Sequence, residues 1–302
     1  MERGYILKIS SLVTKRMTFV MIIAAFIVTT LSSCGGNNVD SSHDIPLSFT
    51  AHTEGLISEK SPNDLPLSTQ VGIYVTAKDA DITHSYYINR KYTSTSAGVL
   101  TSSDMIYLTT GLSYDIYAYS PYTASGNTSG NIEFQSGTDI LWTPVYTLTN
   151  VSTDNQNVVL NFQHLAAEIS FNVVLGEDYT GSLKSFNKSS TITVSGFYEG
   201  AILNLSSGEL NASGSTSVSL SGSGDGQGKM MIAATCFVPT QGMQLKVSII
   251  HDGETYNGTI TDNFRAGYLY NYAITLHSVK ELGISTTIDD WKAVQGGTGD
   301  IK

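Results

Sequence analysis

The chain has 302 residues, with 16 Lys and Arg against 26 Asp and Glu, a formal net charge of −10, and only 14% of its residues are charged. Cations this few and this scattered do not build a phosphate-tracking surface, which excludes nucleic acid as a partner. Tyr alone numbers 17 and Gly 28, the balance of a β-rich secreted protein with polar uncharged faces and aromatic cores.

Lys8, Lys15 and Arg16 precede a fifteen-residue apolar run from Met17 to Leu31. A bilayer-crossing helix needs about 20 residues, so the run is too short to span. The order basic, apolar, small predicts a secretory signal peptide over 1–33. Its ending, Leu31-Ser32-Ser33-Cys34, resembles the bacterial lipobox. That resemblance implies cleavage before Cys34 and diacylglycerol on its sulfur, with each buried CH₂ contributing roughly 0.8 kcal/mol to an outer-membrane anchor. The signal holds four of the 16 cations and one of the 26 acids, so the mature 269 residues carry 12 against 25, a net of −13. This length suits one large or two ordinary domains.

Behind the signal the chain reads as strands. VGIYVT (71–76), YDIYAYSPY (114–122), ITVSGF (192–197), LKVSII (245–250) and YLYNYAITL (268–276) alternate or are dense in β-formers. No stretch keeps a 3.6-residue repeat. Turn clusters separate the runs: SPNDLP (61–66), TASGNTSGN (123–131), ASGSTSVSLSGSGDGQG (212–228) and HDGE (251–254). The Ser/Gly stretch before Lys229 reads as a floppy loop. Asp252-Gly253 supplies the positive φ of a tight hairpin.

The run VVLNFQHLAAEISFNVVL (158–175) changes phase. Leu160 and Phe162 fall on even numbers, whereas Leu165, Ala167, Ile169, Phe171 and Val173 fall on odd ones. A flat continuous strand would turn its core face to water, so the chain bulges, bends or changes sheets near His164, whose imidazole is expected to cap local backbone groups. A junction here divides the mature chain into 34–165 and 166–302, each sufficient for a seven- or eight-strand sandwich.

Motifs of catalysis are missing. No GxSxG elbow occurs, GSGDGQG fails the GxGxxG spacing, and the six histidines never fall at HxH or HExxH spacing. The sequence predicts no enzyme, no cofactor and no metal. Asp79, Asp81, Asp289 and Asp290 read as turn or rim charges rather than a calcium loop. Cys236, with Cys34 committed to lipid, has no disulfide partner and reads as a small buried residue. The tyrosine rows 114, 117, 119, 122 and 268, 270, 272 suit sandwich cores better than a platform for sugar rings.

Several pieces then line up in order. Besides the lipobox they are IPLSFTAHTE (45–54), VGIYV, YYINRKY (86–92) with Asn89 and Tyr92, YDIYAYSPY, LNFQHLAAEISFNV, GAILNLSSGEL (200–210), TCFVPTQ (235–241), FRAGYLYNYAITL (264–276) and ISTTIDDW (284–291). The ordered set resembles the fimbrillin-like proteins of Bacteroidales, lipoprotein-derived type V pilins and their minor fimbrial relatives. The resemblance implies an all-β chain of two tandem transthyretin-like β-sandwich domains. It also implies a surface fimbria or outer-membrane lipoprotein, with IPLSFTAHTE as first strand and other fimbrial subunits as partners through donor-strand exchange. A host or bacterial surface ligand is a further expected partner.

In family pilins a protease cuts after an Arg that follows the first strand. Here no Arg lies between Cys34 and Arg90. Maturation at Lys60 or Arg90 and retention of strand and lipid, as in an anchor or tip subunit, both stay open. A surface glycan-binding lipoprotein is the alternative function.

Overall fold

The computed structural model describes residues 43–54, 63–181, 185–186, 191–226, 228–278 and 282–290. Strands carry nearly all of it. In chain order they are β1 (Asp44–Pro46), β2 (Ser48–Thr53), β3 (Asn63–Asp64), β4 (Gln70–Ala77), β5 (Tyr87–Ser94), β6 (Val99–Thr101), β7 (Tyr107–Thr109), β8 (Tyr114–Ser120), β9 (Asn131–Gln135), β10 (Leu141–Trp142), β11 (Tyr146–Leu148) and β12 (Asn157–His164). There follow β13 (Ala167–Leu175), β14 (Thr191–Phe197), β15 (Gly200–Asn204), β16 (Leu210–Ser213), β17 (Thr216–Gly224), β18 (Lys229–Phe237), β19 (Met243–His251), β20 (Glu254–Asp262), β21 (Tyr268–Leu276) and β22 (Leu282–Asp290). Helix among the described residues is limited to two 3-10 turns, Ile82–His84 and Ser96–Gly98. The chain is all-β, as its alternation and β-former density predict.

The strands before residue 165 curl on themselves. Their order is β10-β12-β2-β6-β5-β4-β8, and β10 pairs with β8 as well as with β12, so the sheet returns to its start. Closure pairs strands that would be the two ends of a flat sheet. The interior holds Phe49, Val71, Ile73, Val75, Tyr92, Ile116, Leu160 and Phe162, each no more than 2% exposed.

β8 is buried at every position because it faces two cores. Tyr114, Ile116 and Ala118 point into the barrel interior, while Tyr117 and Tyr119 join Tyr74 in a second cluster. Tyr114, Tyr117 and Tyr119 of the first row thus fill cores, while Tyr122 is half-buried.

Strands after residue 165 run in the order β20-β19-β14-β17-β18-β13-β21-β22 around a separate apolar cluster. β17 links its two layers: Thr216–Ser221 pair with β14, and Gly222–Gly224 pair with β18. This corrects the loop expected for the Ser/Gly stretch. Val218 and Leu220 pack on the core, and a Cβ at Gly222 would lie 2.5 Å from Met230. Small residues let the strand pass close under Met230 and Ile232. The hairpin at Asp252-Gly253 forms as predicted, with φ of 53° and 76° and His251 opposite Glu254.

The phase change at 158–175 has a plain origin. β12 ends in the first sheet at His164, and β13 starts in the second at Ala167. The His164 imidazole meets a side chain here, its Nδ1 lying 2.9 Å from Asp139 Oδ1. β9 leaves the first set of strands altogether. It pairs with β15, which pairs with β16, so one three-stranded sheet takes residues from both sides of position 165. Ile132 and Phe134 from β9 and Leu203 from β15 roof the cluster under Tyr74 and Tyr119, and Trp142 Nε1 donates to the Leu205 carbonyl at 2.8 Å.

Candidate functional site

The segment His43–Glu54 is the most informative element. Its apolar residues fall on alternate positions, and Ile45, Leu47, Phe49 and Ala51 are all buried while their even-numbered neighbours face outward. Such alternation is what a half-buried strand requires. The segment serves two sheets: β1 pairs with β7, placing Ile45 opposite Leu108, and β2 then enters the barrel.

There β2 has neighbours on both sides. It runs parallel to β12 from Asn157↔Ser48 to Phe162↔Thr53, and antiparallel to β6 at Phe49↔Leu100. Backbone bonds flank the ladder, with Leu47 N–H donating to the Ile106 carbonyl at 2.9 Å and Glu54 N–H to the Phe162 carbonyl at 2.8 Å. Phe49 meets the Tyr92 ring edge-on, centroids 5.1 Å apart, and Tyr92 in turn accepts from Ile106 N–H at 3.0 Å. Burying an Ile, Leu or Phe contributes about 1.5–3 kcal/mol each. Losing this segment therefore removes an amount comparable with the whole stability of an ordinary domain, about 5–15 kcal/mol.

At the other end of the chain lies the opposite situation. Among the described residues β22 pairs antiparallel with β21 alone, from Tyr268↔Asp290 to Leu276↔Leu282. Leu282 and Ile284 pack against the core, whereas Ser285–Ile288 are exposed. Among the described residues β22 is an edge strand hydrogen-bonded on one side, with Leu282 and Ile284 also lying against Gly258 of β20.

Cys34 and Lys60 lie outside the described residues. Arg90 is placed within β5, opposite Ile73 of β4. Its Nη1 is ion-paired with Asp104 Oδ2, and its guanidinium carbon sits 5.4 Å from the centre of the Tyr87 ring. Gly98 gave no signal in the sequence beyond being a glycine, yet it controls how closely the turn before β6 approaches β2.

Two half-buried ionisable groups, Cys236 and Glu168, are held in their protonated forms to higher pH than usual. Burial, reinforced by the Asp139 and Glu168 carboxylates, pushes the half-buried Cys236 thiol up to about 12, so it is not a thiolate at neutral pH. Glu168 is also shifted upward, first by burial and then by Asp139, with His164 opposing. Asp81 caps the Ile82–His84 turn through Thr83 N–H, and Asp79 pairs with Lys78, both turn roles. Among the described residues no group of three His, Cys, Asp or Glu is arranged to hold a metal.

Comparison with known proteins agrees with this architecture. No curated protein matches the sequence. A solved structure of a proposed cell adhesion protein from Bacteroides uniformis superposes with a TM-score of 0.63 at 17% identity, covering 82% of this chain and 99% of that one. A second proposed adhesion protein, from Bacteroides ovatus, gives 0.61 at 18% identity over 84% and 100%. A fimbrial assembly protein from Parabacteroides distasonis gives 0.51 at 10% identity over 82% and 96%. At these identities the likeness is one of fold. The sequence profile of the fimbrillin-like family matches residues 61–291, most of the chain, and the chain belongs to that family.

Proposed function

We propose that the chain is a structural or adhesive subunit of a surface fimbria, exported as a lipoprotein on Cys34 and joined to its neighbours by strand exchange. The observation that carries this reading is the seating of the first segment, whose Ile45, Leu47 and Phe49 are sunk in the core and whose β2 lies inside a closed sheet. Removing such a strand uncovers an apolar groove and unpaired N–H and C=O groups, and an incoming extended segment regains both. β22, paired along one edge only, supports the complementary role of donor. Contacts made head to tail do not close, and they build a filament. In this reading the mature chain comprises modules 34–165 and 166–302.

We assign the chain to a minor position, such as anchor or tip, in which first strand and lipid are retained. Family pilins are cut at an Arg after the first strand, and this chain has none before Arg90. Cleavage at Arg90 would need its backbone pulled out of the ladder with Ile73, which leaves Lys60 as the better substrate if a protease acts. Mass spectrometry of protein extracted from the cell surface tests this. An acylated N-terminus at Cys34 in sheared fimbrial material is the expected result. An N-terminus after Lys60 without acyl groups moves the chain to a shaft role, and absence from fibres altogether overturns the assignment.

A further inference from the structure

β5 leaves part of its backbone uncovered. β6 pairs only with Thr93 and Ser94 of β5, and among the described residues no strand lies along Tyr87–Tyr92 on that side. The segment Thr101–Asp104 touches this edge at its two ends, Thr101 paired with Thr93 and Asp104 with Arg90, and beside it is an open cleft of about 730 Å³. Small-molecule sites span about 300–1,000 Å³.

The lining holds two cations, Arg90 and Lys91, against one carboxylate, Asp104, and is rich in hydroxyls. Only six Lys and Arg fall among the described residues, and two of them, Arg90 and Lys91, meet here in a chain of net charge −10. Arg90 spends one terminal nitrogen on Asp104, while its Nε is buried with no hydrogen-bond partner. Lys91 is exposed, 5.4 Å from the centre of the Tyr122 ring. Among the described residues it meets no carboxylate at ion-pair distance. Thr93, Thr101, Ser102 and Ser103 bring four hydroxyls, of which Thr101 donates to the Thr93 carbonyl and Ser102 to that of Asp104, and Ile88 is the one aliphatic side chain in the lining.

An added peptide strand does not fit this edge. Between the pairs Ile73↔Arg90 and Val75↔Tyr87, β5 carries one residue more than β4, and within it Asn89 adopts φ 50°. Such a bulge kinks the strand and breaks the even spacing that a new ladder requires. With one aliphatic side chain the cleft also lacks apolar pockets for alternate peptide side chains.

We propose that this cleft binds an acidic saccharide, its carboxylate taken by Lys91 beside the Arg90–Asp104 pair and its ring hydroxyls by the Thr and Ser side chains of the opposing wall. The site goes beyond fimbrial assembly and does not depend on it, since β5 and the Thr101–Asp104 loop are not the strands exchanged.

The test uses the full mature chain and trigalacturonate as probe, with its neutral methyl ester and a glutamate-rich peptide of equal charge as comparisons. Binding is followed by calorimetry and by amide chemical shifts. We expect trigalacturonate to bind with shift changes confined to 88–93 and 101–104, to weaken with salt, and to lose about tenfold in affinity in Lys91→Gln, the value of one charged hydrogen bond. Lys246→Gln, elsewhere on the surface, should bind like the parent, and both variants should keep the parental melting temperature. The proposal is overturned by absence of binding, by shift changes elsewhere, by equal affinity in Lys91→Gln, or by ester or peptide binding as well as the acid.

Discussion

The Cα of Gly98 faces the carbonyl oxygen of Ala51 so closely that a Cβ at position 98 would sit 2.3 Å from it, and Gly98 adopts φ +69°. The turn entering β6 can lie against β2 only without a side chain there. Gly98→Ala combines a left-handed backbone penalty with a clash against main chain, together about 2–4 kcal/mol. Urea unfolding should show a lower midpoint, and native-state hydrogen exchange should rise first at Ser48–Thr53. An unchanged midpoint would mean the turn moves away at little cost.

Phe49 is the largest side chain that β2 puts into the barrel, 1% exposed and edge-on to Tyr92. Phe49→Ala should destabilise by about 3–5 kcal/mol. Limited proteolysis should then release the N-terminal segment while the residues after Ala167, which have their own core, stay resistant.

Asn89 holds the bulge of β5 by two bonds. Its Oδ1 accepts from Tyr119 O–H at 2.7 Å and its Nδ2 donates to the Thr123 carbonyl at 2.8 Å. Asn89→Ala should cost about 2–4 kcal/mol, from lost hydrogen bonds and from Ala in a left-handed conformation. Asn89→Gly keeps the backbone freedom and should recover about 1 kcal/mol of that. Equal stabilities for the two variants would remove the backbone part of the account.

Glu168 is held protonated to higher pH than usual, chiefly by burial and also by Asp139. Folding thus favours its proton. Its contribution is full below the ordinary glutamate range and is lost as pH rises through the raised value. Glu168→Gln, neutral throughout, should be more stable than the parent at neutral pH, and the two urea midpoints should converge as the solution is acidified. A gap independent of pH would mean that the carboxyl acts by packing.

Cys236, pushed up to about 12, should react with iodoacetamide at pH 8 far more slowly in the folded protein than in urea. Equal rates would contradict the burial on which its inertness rests.

The sequence was most legible where one strand has one buried face. IPLSFTAHTE shows its alternation openly, and the phase change near His164 marks the change of sheet because side-chain period is fixed at two. The Ser/Gly stretch was misread since composition reports flexibility but not the crowding by Met230 that makes Gly222 fit. The pairing of β9 with β15 was invisible for a different reason. Asn131–Gln135 is five residues long and its partner lies some seventy positions away, a separation at which no local pattern names a neighbour. The cleft beside β5 was equally hidden, because Arg90 and Thr101 become neighbours only when β6 folds back along the strand.

The parallel pairing of β2 with β12 decides how this part of the molecule meets traction. Tension between its two ends enters at the N-terminal end of β2 and leaves at the C-terminal end of β12, the opposite ends of one parallel ladder. The six registered residue pairs are then sheared together instead of being peeled one after another. A load applied along this segment would accordingly draw on the combined resistance of that ladder.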